Sequence, residues 1–320
     1  MAAAAKQPTI PQADLESFTK HLQSSKRVLA LLGAGLSASS GLPTFRGAGG
    51  LWRTHDAISL ATPEAFNDNP GLVWQFYSYR RHMALKAQPN RAHYALAELA
   101  RKMRGFMTLS QNVDGLSQRA KHPRDKLQLL HGSLFDVKCT NFYCNYQAED
   151  FTDPIVPALD LPVDETDPTS KEARHAVSNS LHAKRTGQEL DISDASVDLP
   201  ELMEKDLPHC PKCKKGLLRP GVVWFGESLP RSVLSTVDEF IAGGKIDLIM
   251  VIGTSAKVYP AAGYVDEAKK KGARVAVINM EEGDAPASGL RKGDWFFKGD
   301  AAQVVPEILK SVIGETPEPN

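Results

Sequence analysis

The chain has 320 residues, 42% hydrophobic and 24% charged, which allows a sizeable core and about two domains and fits neither a fibre nor a disordered polymer. Lys plus Arg equals Asp plus Glu at 38 each, so no global positive field draws it onto nucleic acid or an anionic bilayer, and neither is expected as a direct partner. Recognition must then be local. The opening stretch has an alanine run, Asp14 and Glu16 but no arginine, which fits neither a secretory signal nor a mitochondrial presequence. Residues 1–20 are expected to be a flexible terminus, and the compartment stays open between mitochondrion, cytoplasm and nucleus.

Taken in chain order, short β-branched runs end at glycine or polar clusters at residues 28–32, 106–109, 246–252 and 274–278. They alternate with helix-like stretches at 70–86, 93–104, 264–271 and 301–313. This alternation predicts an α/β fold, a Rossmann-like parallel sheet with helices on both faces. Ligands sit at the carboxyl ends of such strands. No apolar run is long enough to span a bilayer. Residues 151–206 break the pattern with thirteen acidic and five basic side chains, a net of −8. The middle of that stretch, about 164–198, reads as an acidic mobile insertion, and 314–320 as a disordered tail.

The first run leads into Gly33-Ala34-Gly35-Leu36-Ser37. Strand, glycine loop and helix start make a phosphate cradle, because glycines admit a pyrophosphate and a helix N-terminus favours its charge. A tight turn needing small residues for packing explains the same letters. The dehydrogenase pattern also wants a second strand ending in an acidic residue about 20 positions on, and the stretch from Pro43 to Arg53 is no strand. Hydride transfer is thereby disfavoured. Phe45 and Arg46 on a glycine-rich segment suggest a lid over a nucleotide.

The four cysteines fall as Cys139-x4-Cys144 and Cys210-x2-Cys213. Two such pairs predict one tetrahedral zinc site of four thiolates, closed and therefore structural. Four free thiols are the alternative. The expected organisation is a Rossmann-like domain at 21–134 and 217–313, with a zinc-binding module at 135–216.

Residues 33–47, Gly-Ala-Gly-x-Ser-x-x-Ser-Gly-x-Pro-x-Phe-Arg-Gly, resemble the signature of the sirtuin family of NAD-dependent protein deacylases. Gln111-Asn112-Val113-Asp114, His131-Gly132-Ser133, Val222 to Glu227, Gly253-Thr254-Ser255 and Asn279 follow in the family's order. The resemblance spans about residues 28–302 and implies the sirtuin fold, NAD consumed as co-substrate, and acylated lysines of proteins as partners, metabolic enzymes or histones among them. It implies that the acyl oxygen attacks C1′ of the nicotinamide ribose and that His131 then serves as base. Nicotinamide and an O-acyl-ADP-ribose are the products. Asn112 and Asp114 join His131 as catalytic residues. Gly33, Ala34, Gly35, Ser37, Phe45, Arg46, Gln111, Gly253, Thr254, Ser255, Asn279 and Ala301 are carried over as NAD-binding. Two positions depart from the family's pattern: Ser117 stands where histidine is usual after leucine, and Gly221 where histidine usually precedes the Val-Val-Trp motif.

In the helical stretch, Tyr77 and Arg80 lie three apart on one face. A guanidinium beside a phenol can hold a carboxylate. The pair resembles the acid-recognising residues of the class III, desuccinylase and demalonylase, branch, with Ala61 as the small residue that enlarges the pocket. A helix face covered by ordinary surface residues is the plainer alternative. Val223, Trp224, Phe225, Gly226 and Glu227 are expected to pair with the substrate backbone as an added strand. A plain deacetylase, an ADP-ribosyltransferase, and a module that binds NAD or O-acyl-ADP-ribose without turnover stay open as rival functions.

Overall fold

The computed structural model describes residues 10–43, 51–162, 189–256 and 258–316. Phe45, Arg46, most of the expected insertion and the last four residues therefore lie outside the described residues. The chain divides into two compact units, one built from 1–45, 83–134 and 222–320 and the other from 46–82 and 135–221.

The first unit holds six parallel strands, Val28–Leu32, Phe106–Ser110, Leu127–Leu129, Leu248–Ile252, Arg274–Asn279 and Trp295–Lys298. Numbered along the chain they lie in the order 3-2-1-4-5-6, that of doubly wound dinucleotide-binding sheets. Continuous apolar runs suit strands covered on both faces, and the period of two divides each run between two cores. Val28, Ala30 and Leu32 point into one core with Phe18, Leu22, Leu96, Leu99 and Ile308. Leu29 and Leu31 point into the other with Val237, Ile241, Val265 and Ala268. The first core is closed by helices Gln12–Ser24, Arg91–Lys102 and Ala301–Ile313, the second by Arg231–Ala242 and Gly263–Lys270.

Helix Gln12–Ser24 overturns the expectation of a flexible start as far as residue 20. Its Leu15, Phe18 and Leu22 fall at helical spacing, and Phe18 meets Trp295 and Phe297 edge-on at 5.3 Å each. At the other end Thr316 is buried and Glu315 pairs with Lys310, so the tail expected to be disordered from 314 is ordered through 316.

The second unit contains a small sheet in which Gly132–Cys139 lies between Gln147–Glu149 and Leu218–Val222. The boundaries expected from sequence placed 46–82 with the Rossmann-like domain, whereas these residues cluster with the second unit. The reason lies on helix Pro70–Lys86, whose side chains satisfy carbonyls of the irregular chain. Trp74 Nε1 donates to Leu218 O at 2.9 Å, Gln75 to Pro200 O at 2.8 Å, and Arg81 to Asp150 O and Thr152 O at 2.8 and 3.0 Å. These long-range donations tie the helix to the second unit, and Trp74 and Arg81 make theirs from buried positions. Residues 189–198, expected inside the mobile insertion, are likewise pinned. Arg53 donates to the carbonyls of Ile192, Asp194, Ala195 and Val197 at 2.8–3.2 Å, and Ile192 is buried.

Candidate active site and metal centre

The strand order reverses between Val28–Leu32 and Leu248–Ile252, and the loops leaving their carboxyl ends meet there. Gly33 N donates to Ile252 O and Gly35 N to Gly253 O, both at 2.9 Å. A Cβ on Gly35 would stand 2.7 Å from Gly253 Cα, and one on Gly253, whose φ is +61°, 2.4 Å from Leu36 N. These glycines are therefore required for loop-on-loop packing, whatever ligand the backbone faces. Past Gly33 the chain forms two single 3₁₀ turns, Ala34–Leu36 and Ala38–Ser40, instead of the expected α-helix start. Each turn is only three residues long, too short to sum the dipole of an α-helix.

Around this junction the first unit assembles most of the anticipated residues. Asn112 Nδ2 donates to Gly33 O at 3.0 Å and to Ser37 Oγ at 3.2 Å, and Gln111 Nε2 to Thr254 Oγ1 at 3.1 Å. Asn279 ends its strand and donates to Thr254 O at 3.2 Å, and Ser255 is buried beside it in sequence. Ala301 opens helix Ala301–Ile313 behind the cap Asp300, which accepts from Ala302 N and from Ser39 Oγ.

His131 follows strand Leu127–Leu129, and its Nδ1 lies 3.0 Å from Gln111 O. A carbonyl only accepts, so Nδ1 carries the hydrogen and Nε2 the lone pair. Desolvation lowers the pKa of the ring below its ordinary value, with the bond to Gln111 pulling the other way. A neutral imidazole with a fixed tautomer is a proton acceptor near neutrality.

Asp114 is held on both oxygens, one accepting from Leu116 N at 2.9 Å and the other from Ser37 Oγ at 2.7 Å. Behind Ser37 stands His93, absent from the sequence reading. Its Nδ1 accepts from Asn90 N at 3.2 Å, which leaves Nε2–H to face Ser37 Oγ at 3.5 Å. Burial drives His93 down to about 4, opposed by the Asp114 charge. The result is a hydrogen-bonded chain from a neutral His93 through Ser37 to Asp114 that fixes the carboxylate. Asn90-x-x-His93 is a helix-capping pattern, and its letters say nothing about what the far ring nitrogen reaches.

The stretch expected to present an added strand from 222 to 227 turns sharply instead. Val223 N donates to His131 O at 2.9 Å, Trp224 N to Glu227 Oε2 at 2.8 Å and Glu227 N to Trp224 O at 3.0 Å. Gly226 makes the turn at φ +87°, Trp224 is buried and Phe225 is exposed. Only its first residue, Val222, belongs to strand Leu218–Val222.

In the second unit, Tyr77 is buried on helix Pro70–Lys86, and the Arg80 guanidinium lies 5.3 Å from the Phe76 ring centre and 5.4 Å from that of Tyr77. Two rings beneath a planar cation limit its freedom and orient its edge. Ala61, buried, follows the short helix Ala57–Leu60. The next arginine, Arg81, is structural instead. It is buried to 1% exposure, 3.6 Å from Asp150 and bonded to two carbonyls.

The four cysteine sulfurs all lie within 4.8 Å of one another. Cys139 and Cys213 are 3.6 Å apart, Cys144 and Cys210 3.7 Å. A tetrahedron with Zn–S of about 2.3 Å has edges of about 3.8 Å, so the set fits a zinc ion. Amides of Gly216 and Lys215 pull Cys213 down to about 6, while Cys139 is pushed up to about 12, by desolvation first. Crowded thiols cannot all ionise without a cation among them. Among the described residues this is the one cluster suited to a metal.

Residues 33–260 match the model of the Sir2 family. The chain is 46% identical over 313 residues to an "NAD-dependent protein deacylase" of Candida albicans, covering 94% of this chain and 98% of that one. It is 40% identical over 309 residues to "NAD-dependent protein deacylase sirtuin-5, mitochondrial" of Danio rerio, covering 94% and 88%. Among solved structures, a Sir2 homolog–NAD complex superposes with a TM-score of 0.70 at 34% identity, covering 97% of this chain and 96% of that chain.

Proposed function

Because the chain belongs to the Sir2 family, we propose that it is an NAD-dependent protein lysine deacylase that removes succinyl, malonyl or glutaryl groups and releases nicotinamide and an O-acyl-ADP-ribose. The observation that carries this reading is the His131 ring, neutral by burial and turned by Gln111 so that Nε2 can accept a proton. NAD supplies the electrophilic ribose carbon, with nicotinamide as its leaving group. His131 takes the proton of a ribose hydroxyl so that the acyl group passes to the sugar. Asn112 and Asp114 orient that ribose, and Ser37 with His93 keeps Asp114 in place. Gly33, Ala34, Gly35 and Gln111 line the nucleotide, and Gly253, Thr254, Ser255, Asn279 and Ala301 serve the adenosine side. Phe45 and Arg46 act as a lid that excludes water. Zinc on Cys139, Cys144, Cys210 and Cys213 holds the two knuckles together and takes no part in the chemistry.

Tyr77 and Arg80 read the carboxylate of the acyl group, and Ala61 leaves room for it. The guanidinium lying against the Phe76 and Tyr77 rings supports this assignment, because the rings hold a cation where an acyl carboxylate would add a charge-assisted bond that an acetyl group cannot make. Val223 to Glu227 hold the substrate backbone, and metabolic enzymes or histones are the target classes in view.

A panel of acetyl, malonyl, succinyl and glutaryl peptides tests the reading. Acidic acyl groups should exceed acetyl in kcat/KM by at least about tenfold, the scale of one added hydrogen bond to a charged group at about 1.5–3 kcal/mol. Arg80→Met should reverse that order. Desuccinylation that survives Arg80→Met removes the acyl assignment, and no nicotinamide release with any peptide would leave a binding module instead.

A further inference from the structure

The net charge of zero hides an uneven surface. The two cysteine knuckles, residues 138–147 and 209–216, carry Lys138, Lys212, Lys214 and Lys215 and no carboxylate. Four thiolates around one zinc ion leave two negative charges, so the tip is positive by two. Lys212, Lys214 and Lys215 are exposed, and Lys212 donates to Asn145 Oδ1 across the knuckles.

Between Cys139 and Cys144, Phe142 and Tyr143 are 92% and 94% exposed, packed edge-on to each other at 5.3 Å. Their backbone is tied by local hydrogen bonds. Tyr143 N donates to Asn141 Oδ1 at 3.0 Å, Asn141 N to Cys139 Sγ at 3.4 Å and Cys144 N to Asn141 O at 2.9 Å. The rings thus stand on a tied turn that offers them no apolar surface to fold back on. Two adjacent aromatics so exposed mark an interaction site.

We propose that this knuckle tip is a peripheral docking site for an anionic lipid bilayer. Phe142 and Tyr143 enter the boundary between headgroups and acyl chains, while Lys212, Lys214 and Lys215 meet the lipid phosphates. Shape selects this occupant. A side chain more than nine-tenths exposed has no protein wall beside it, and a peptide or an oligonucleotide is gripped by grooves, whereas a bilayer deforms around a projecting wedge. Chemistry agrees, since aromatic rings favour the membrane interface and lysines gain from an anionic leaflet within a Debye length. Among the described residues no helix is long and apolar enough to cross a membrane, and the proposed contact is with the bilayer surface. The bulk charge, which excludes a bilayer on the scale of the whole chain, does not speak to a patch of this size.

Co-sedimentation of the full, zinc-loaded chain with phosphatidylcholine vesicles, with and without phosphatidylserine, tests the proposal. Binding is expected to the anionic vesicles only, and to fall as salt rises. A Phe142→Ser, Tyr143→Ser variant and a Lys212→Gln, Lys214→Gln, Lys215→Gln variant should each lower the bound fraction at least about fivefold. Zinc content, melting temperature and turnover of a soluble acyl-peptide should stay as they were. No binding to anionic vesicles overturns the proposal, as does binding that both variants retain. Displacement by a single-stranded oligonucleotide whose own binding needs the same five side chains also overturns it, in favour of a nucleic-acid site.

Discussion

At position 131 burial and a backbone carbonyl act on one imidazole in opposite directions, and burial dominates. A base must be unprotonated, so activity is present above the pKa of the ring and lost as pH falls through it. That pKa lies below the ordinary 6.5, so kcat/KM should be level at neutral pH and decline only on the acid side of 6.5. A decline centred above 7 would contradict the assignment. His131→Ala should lower NAD-dependent deacylation by at least about a hundredfold, within the usual range of general base catalysis. Stability follows the same sign. His93, lowered to about 4, is neutral in the fold while the unfolded chain titrates near 6.5. The unfolded state therefore takes up protons first, and stability is lost as pH falls from 6.5 toward 4. The sequence offered His131 through its motif neighbours. It was silent on His93, because a capping histidine and a histidine that backs a carboxylate proposed to orient the ribose are spelled the same way. The split between Arg80 and Arg81 was equally hidden: adjacent letters of one type point about 100° apart on a helix, and only the neighbours decide which is structural.

The strands that carry the site were legible as elements, because residues buried on both faces must be apolar without interruption. Helix Arg231–Ala242 and the bounds of strand Trp295–Lys298 were not anticipated. The strand is four residues long and edges the sheet, which leaves a weak period. The glycine loops show how a correct motif can have an incomplete reason. Gly33, Gly35 and Gly253 look like a ligand cradle, yet their missing side chains are first needed for one loop to lie on the other. Gly253→Ala adds a Cβ at positive φ against the backbone of residues 35 and 36. It should cost more than about 2 kcal/mol in chemical denaturation and raise KM for NAD. A variant of wild-type stability would show that the loops part easily.

On the scale of the molecule, two devices tie the second unit together: helix side chains that donate to distant carbonyls, and a cluster of four cysteines suited to zinc. One zinc per chain is expected by elemental analysis. A strong chelator should remove it and lower the melting temperature, since metal-binding energy is folding energy in such modules. Zinc loss without a melting shift would assign the sulfurs no structural role. By itself the sequence determined the parallel sheet, the glycine loops at its strand ends, the histidine proposed as base and the cysteine set, because each is written in local pattern or in spacing that chemistry restricts. Tertiary structure alone decided that residues 46–82 join the second unit, that residues 189–198 are pinned, that Trp224 to Glu227 turn, and that His93 backs Asp114. Those outcomes rest on which distant donor meets which acceptor, and a linear pattern records the presence of such groups but not their pairing.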